Sequence, residues 1–239
     1  MAKFSRHRDD EEEWLGGRRG TAIAAFAFLV LVGISGIVVV ATGGSDTSGE
    51  PAHPSAGPPQ SGIADDAWDG TTRPQGVSWS LYRGMALPSS PTAGPARDDG
   101  VVAAGYAHSR VGALLAAVQT PVRYVAAPDA DWRRATLAML APGPGRDAWA
   151  RTRAVERAKP DPPGTTYAVV TGFSFVSYSD ADAVIQVVGR NPDGSSWVDP
   201  YHLVWLDGDW KLVLAADGMP SPNSQQVSSL DGFVPWSPA

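Results

Sequence analysis

The run from Thr21 to Thr42, TAIAAFAFLVLVGISGIVVVAT, carries no charged residue and no proline. A helix that crosses the hydrocarbon core of a bilayer needs about 20 consecutive apolar residues, and this run supplies them. Each Phe, Leu, Ile or Val near the centre of such a helix favours insertion by about 0.3–0.6 kcal/mol, which outweighs Gly33, Ser35 and Gly36. A buried core helix is shorter and keeps a polar face. A cleaved signal peptide has a shorter apolar region followed by a small-residue cleavage site. Arg18-Arg19 begins like a twin-arginine signal, but Gly20-Thr21 does not continue it. The sequence therefore predicts an uncleaved, single-pass membrane anchor, and the remainder of the chain is divided by it.

The flanks set its direction. Lys3, Arg6, Arg8, Arg18 and Arg19 precede the run, and the next basic residue after it is Arg73. Basic residues close to a membrane helix stay in the cytoplasm, while acidic ones such as Asp9 to Glu13 count little. The expected topology is an amino terminus inside and a carboxy-terminal domain outside the cell membrane. The run has no GxxxG spacing that would mark a helix-pairing face.

Six regions are expected: a charged cytoplasmic tail (1–20), the membrane helix (21–42), a disordered linker (43–76), a strap (77–104), an α+β domain (105–218) and a docking tail (219–239). The linker holds Gly43, Gly44, Pro51, Pro54, Pro58, Pro59 and Pro74 among Ser, Thr and Asp, with His53 as an exposed residue. Such a composition buries too little apolar surface to offset ordering entropy, and its prolines keep it semi-extended. The strap is richer in apolar residues, with Trp79, Leu81, Tyr82, Met85 and Leu87, but Pro88, Pro91 and Pro95 predict an irregular path along the domain surface. No cysteine is present, which excludes disulfides and thiolate metal sites. The net charge of −6 falls on the part after the anchor, because charges before it balance. An acidic domain is a poor binder of phosphate backbones. The scarcity of lysine (Lys3, Lys159 and Lys211) against many Arg, Ala, Gly and Pro is the bias of high-GC Gram-positive genomes.

Within the domain the hydrophobic period is helical first. Val111, Leu114, Leu115, Val118, Val122 and Val125 share one helix face, with Ser109 as N-cap and Pro121 ending or kinking the helix near Gln119. A second helix is expected from Asp131 as N-cap, turning Trp132, Leu137 and Leu140 inward and stopping at Ala141-Pro142-Gly143. A third is expected from Pro144 to Lys159, burying Trp149 and Val155 and exposing Asp147, Arg151, Glu156 and Arg157. The period then becomes two, with strands over Tyr167–Phe175, Ala183–Gly189, Trp197–Leu206 and Trp210–Ala216. Asp207-Gly208 is a two-residue hairpin signal. Its register sets Leu206 opposite Asp209, Trp205 opposite Trp210, Leu203 opposite Leu212 and Tyr201 opposite Leu214. The last three pairs form an apolar face for the helices, and His202, Val204, Lys211 and Val213 form a wetter one. Leu230, Phe233, Val234 and Trp236 predict that the final tail docks.

Three helices followed by a curved antiparallel sheet, closing in YHLVWLDGDWKLVLA, resemble the nuclear-transport-factor-two-like cone. Anchor, linker and cone in that order resemble the periplasmic assembly factors of type IV secretion systems and the TcpC-type conjugation proteins of Gram-positive bacteria. GYAHSRVGALLAAVQTPVRY (Gly105 to Tyr124) and GFVPW (Gly232 to Trp236) resemble a membrane-protein family of actinobacterial integrative and conjugative elements. TcpC-type proteins carry two cones in tandem, and this chain has room for one. The resemblance implies a structural component of a conjugation channel. Its expected partners are other membrane proteins of that channel, the membrane itself and, as one option, further copies of the chain, without direct contact to nucleic acid.

Few chemical motifs are present in the sequence. No phosphate loop, HExxH pair or GxSxG elbow is present. Asp129-Ala130-Asp131 and Asp180-Ala181-Asp182 have the DxD form of some metal sites, but Asp is common in turns for its own backbone bonds. His108 and His202 are the only histidines of the domain and the alternative pocket residues. His108 is expected to serve the first turn of the first helix, and His202 to lie on the wet face. No cofactor and no metal is expected, and the chain is read as non-enzymatic. Trp79, Tyr82, Trp205, Trp210, Phe233 and Trp236 are the expected interaction or packing residues. The alternative is a membrane-tethered small-molecule binder or enzyme with a pocket in the cone. A polar-lined pocket would favour that alternative, and an interior filled by Trp, Phe and Leu would favour the scaffold.

Overall fold

The computed structural model describes residues 68–158, 161–221 and 223–238. The expected cytoplasmic tail, the membrane run 21–42 and the linker up to residue 67 lie outside the described residues. Among the described residues no helix is long and apolar enough to cross a membrane.

The fold is α+β, with three helices and a mostly antiparallel sheet. The main sheet contains β5 (Val169–Tyr178), β6 (Asp182–Arg190), β7 (Ser196–Leu206) and β8 (Asp209–Val213). It runs in the order β10-β5-β6-β7-β8, where β10 is Val234–Pro235, and β9 (Gln225–Val227) also pairs with β7. Two shifts of register in β5, between Val170 and Gly172 and between Phe175 and Ser177, bend that strand. The β7–β8 hairpin has the register its turn residues dictate, with Leu203 opposite Leu212, Trp205 opposite Trp210 and Leu206 opposite Asp209. Asp207 and Gly208 take φ of 54° and 74°, the left-handed pair that a two-residue hairpin demands. The pairing ends at His202 and Val213, so Tyr201 and Leu214 share the apolar face without closing a further rung. Tyr201, Leu203, Trp210, Leu212 and Leu214 are all buried there.

Helix α1 (Arg110–Ala126) is the centre of the domain. Ser109 caps it, its Oγ accepting from the Gly112 N–H at 3.2 Å. Ala113, Leu114, Leu115, Ala116 and Ala117 are all fully buried, so the helix is enclosed on every side rather than on one face. The sheet covers one side. The other is covered by a hairpin of β1 (Ser78–Tyr82) and β2 (Met85–Ser89), and by β4 (Ala103–Ala104), which pairs with β3 (Arg97–Asp98). The strap is therefore two regular ribbons and not an irregular path. Its overlooked signal is Arg83-Gly84, with φ of 49° and 86°, a hairpin turn between SWSLY and MALPS.

Several local expectations are corrected. Pro121 does not end α1, which continues to Ala126. The turn beyond Pro121 is held by tertiary contacts: Tyr124 is fully buried, and Arg123 donates from Nε to Gln119 at 2.5 Å and from both terminal nitrogens to Asp98 at 2.9 and 2.6 Å. In α2 (Trp132–Met139) the buried face is Trp132, Ala135, Thr136 and Met139, so Leu137 is 66% exposed. Asp131 makes no side-chain cap and pairs instead with Arg134 at 3.1 Å. Helix α3 (Pro144–Val155) ends before Lys159, and Val155 is 83% exposed while Arg153 is buried. The buried guanidinium of Arg153 donates to the Ala127 carbonyl, to Asp129 and to the Glu156 carbonyl, at 3.2, 2.8 and 2.6 Å. The carbonyls that a helix end leaves unpaired attract such a group. Trp68, within the expected linker, packs against the sheet: its ring lies 5.8 Å from Phe173 and 5.9 Å from Phe175.

Gly145 fixes how α3 meets the sheet. A Cβ there would meet the carbonyl oxygens of Leu214 and Ala215 well inside contact distance, and both are backbone atoms that cannot swing aside. Gly145→Ala should therefore destabilise the domain by about 1–3 kcal/mol, the usual cost of overpacking. A helix-interior Gly→Ala change without that clash would stabilise instead, so the sign of the shift in chemical denaturation decides the matter.

Candidate functional site

Three clusters contain the expected site residues. The first joins the amino-terminal hairpin to the carboxy terminus. Trp236 is 1% exposed and lies 4.7 Å from Trp79 and 5.4 Å from Phe173, ring to ring. Its N–H donates to the Thr171 carbonyl at 3.0 Å, and Val234 and Pro235 pair with Phe173 and Gly172. Phe233 is half-buried beside them. Tyr82, at the end of β1, is half-buried under the Arg123 guanidinium, 4.5 Å from its ring centre. The tail therefore docks, and Trp79, Tyr82 and Trp236 act in packing.

The second cluster surrounds the β7–β8 turn. His108 is exposed and stacks on Trp205 at 4.0 Å, with 7° between the ring planes, and its Nε2 bonds to the Asp180 carbonyl oxygen. It ties the β5–β6 loop to the hairpin instead of serving the first turn of α1, which Ser109 already caps. Trp210 is buried against Trp205 at 5.4 Å, and its Nε1 donates to the Ala107 carbonyl at 3.0 Å. Asp209 completes the joint. Its carboxylate accepts from the N–H groups of Gly105, Tyr106 and Trp210 at 2.8, 3.0 and 3.0 Å. The sequence reading treated Asp209 only as a register partner. Its one signal is an acidic residue directly after Asp207-Gly208, at the start of the strand DWKLV. His202 sits on the wetter face as expected and pairs with the Asp182 carboxylate, both about half exposed.

The third feature is a cavity of about 100 Å³ between α1, the β1–β2 hairpin and the far end of the sheet. Its apolar lining includes Leu87, Val118, Val122 and Val187. Neither His108 nor His202 lines it. Its acidic group is Asp199, which is fully buried in β7. Oδ1 of Asp199 accepts from the Ser224 hydroxyl, and Oδ2 has no partner among the described residues. Burial pushes this carboxyl up to about 7, against the opposing pull of the Ser224 hydroxyl. The Ser221 hydroxyl, also on the lining, is likewise without a partner. Tyr201, beside it, has a phenol pushed well above its ordinary range, first by burial and then by the Asp199 charge. Asp199 falls inside the expected strand Trp197–Leu206, where no motif in the local pattern marks it as a site residue. Its one signal was an acidic residue at an inward position of an otherwise apolar strand.

The two DxD segments act as turns and joints. Asp129 accepts from the Ala158 N–H and from Arg153, which together hold its carboxyl below the ordinary range. Asp99 is held at about 2, chiefly by the N–H groups of Val102 and Val101 and then by Arg134. Among the described residues no group of His, Asp and Glu is placed to hold a metal ion.

Fold and cavity together define an α+β domain with an enclosed central helix and one largely apolar pocket. The chain belongs to the family described as "Domain of unknown function (DUF8175)", whose pattern matches residues 42–235. Neither a curated protein nor a solved structure matches it.

Proposed function

We propose that this protein is a membrane-anchored, non-enzymatic component of a conjugative, type IV-like DNA-transfer apparatus, acting through protein contacts of an extracytoplasmic cone of the nuclear-transport-factor-two-like kind. The apolar run 21–42 is its anchor, the basic residues before it keep the amino terminus in the cytoplasm, and the acidic domain touches protein rather than the transferred DNA. The observation that carries the reading is on β1. This is the outer strand of a two-stranded ribbon, and it presents Leu81 at 77% exposure while its neighbours Trp79 and Tyr82 lock the ribbon to the core. A rigidly held outer strand with a large apolar side chain in solvent is a surface suited to strand addition by a partner. The partner class is another membrane protein of the same channel.

Deleting the gene should abolish transfer of the element while its replication and cell growth stay normal. Restoring the domain without Thr21 to Thr42 should not rescue transfer, because the anchor holds it at the channel. Normal transfer from the deletion strain would end this reading. A second reading, a membrane-tethered module that binds a small molecule, is favoured by the cavity at Asp199.

A further inference from the structure

We propose that the Asp199 cavity is a binding site for a small, neutral, mostly apolar molecule that carries one hydroxyl group, of the phenol or alicyclic alcohol class. The inference rests on the small-molecule reading and is independent of the protein-contact role. An apolar cavity of roughly 150 Å³ takes a benzene ring and stays dry without one. This cavity is about 100 Å³, and its lining runs from fully buried Asp199 to exposed Val169, so a ring can bind with one edge toward solvent. Its wall is not purely apolar. Among the described residues, fully buried Asp199 has Oδ2 without a partner, and Ser221 Oγ is a second buried polar atom without one. A buried polar group left unsatisfied costs about 1–3 kcal/mol, so a ligand that pairs with it recovers that cost on binding. The Ser224 hydroxyl occupies Oδ1, which leaves Oδ2 to the ligand.

The choice of a hydroxyl follows from the chemistry of that oxygen. A hydroxyl both donates and accepts, so it matches the carboxylate as donor and the carboxylic acid as acceptor. An ammonium ligand would bring a second charge into an apolar wall, where desolvation costs several kcal/mol per ion. Among the described residues no basic side chain lines the cavity, so a carboxylate ligand would find no countercharge.

Two of the four methionines, Met85 and Met219, line the cavity, and buried Met139 on α2 does not. The full-length chain, labelled with carbon-13 at the methionine methyl groups and held in nanodiscs, can be titrated with phenol and, separately, with toluene. Free concentrations are set by dialysis against empty nanodiscs. Phenol should shift Met85 and Met219 saturably and leave Met139 in place, and toluene, of the same shape without the hydroxyl, should bind about tenfold more weakly. Asp199→Leu should erase that preference. Val122→Trp, which puts a large side chain into the lining from a half-buried position, should abolish both sets of shifts and serves even where Asp199→Leu does not fold. Absence of saturable shifts from either probe would overturn the site together with the small-molecule reading. Equal affinity for phenol and toluene, or an unchanged preference in folded Asp199→Leu, would overturn the hydroxyl assignment and leave the small-molecule reading in place. Shifts that persist in Val122→Trp would put the probe outside the cavity and overturn the site.

Discussion

Trp236→Ala should cost the domain about 3–5 kcal/mol, the range for removing a large aromatic side chain from a packed core. Trp236 is almost fully buried, and its ring is shared between Trp79 of the β1–β2 hairpin and Phe173 of the central sheet. Its loss therefore opens a cavity at the point where the amino-terminal hairpin, the sheet and the tail meet. A domain of this kind is stable by only about 5–15 kcal/mol, so the variant loses a large fraction of its margin. Chemical denaturation of the full-length chain, followed by near-ultraviolet circular dichroism, reads the effect. A change below about 1 kcal/mol, the range of surface substitutions and mild core swaps, would mean that the tail does not clamp the hairpin to the sheet.

The second large effect is a dependence of stability on pH that comes from one buried group. The Asp199 carboxyl is raised to about 7 by burial, while an unfolded aspartate titrates near 3.8. Between these values the folded state holds a proton that the unfolded state has released, so stability falls as pH rises. Its contribution is complete below about pH 4, declines through the window and is gone above about pH 7. A difference of about 3 units corresponds to about 4 kcal/mol at most. Asp199→Asn keeps the shape and removes the titration, so it should flatten the curve between pH 4 and 8 and be the more stable protein at pH 8. A wild-type curve that rises across this window after subtraction of the Asn variant would contradict the burial of a carboxyl whose one hydrogen-bond partner is the Ser224 hydroxyl.

The order of elements was legible because local chemistry agreed with tertiary structure over most of the domain. Asp207-Gly208 specified a turn, the turn specified the register, and the register specified which of Trp205, Leu203 and Leu212 face the helices. Ser109 and Pro144 marked helix starts for reasons internal to the helix. The misreadings fall where long-range contacts overrule local ones. Pro121 looked like a stop, but Arg123 and Tyr124 beyond it are held by Asp98, Gln119 and the core. Val155 looked buried by its apolarity, but Arg153 took the inward place because unpaired carbonyls and Asp129 lie there. Trp68 looked like linker because its neighbours are Gly, Asp and Thr, and only the fold brings Phe173 and Phe175 to it. The cavity was the least legible feature. It is assembled from α1, the first hairpin, β5 to β7 and the turn near Ser221, and no single stretch of sequence carries its pattern.

The protein-contact role is tested most directly by element transfer from a donor strain whose only copy of this gene carries Leu81→Lys. Leu81 is 77% exposed, so the change should leave the fold within about 0.5 kcal/mol of the parent. Val155→Lys, at 83% exposure on α3, is the matched control. With both proteins present in the membrane at parental levels, the account predicts transfer reduced to the level of the deletion strain for Leu81→Lys and parental transfer for Val155→Lys. Parental transfer frequency from the Leu81→Lys strain would contradict it.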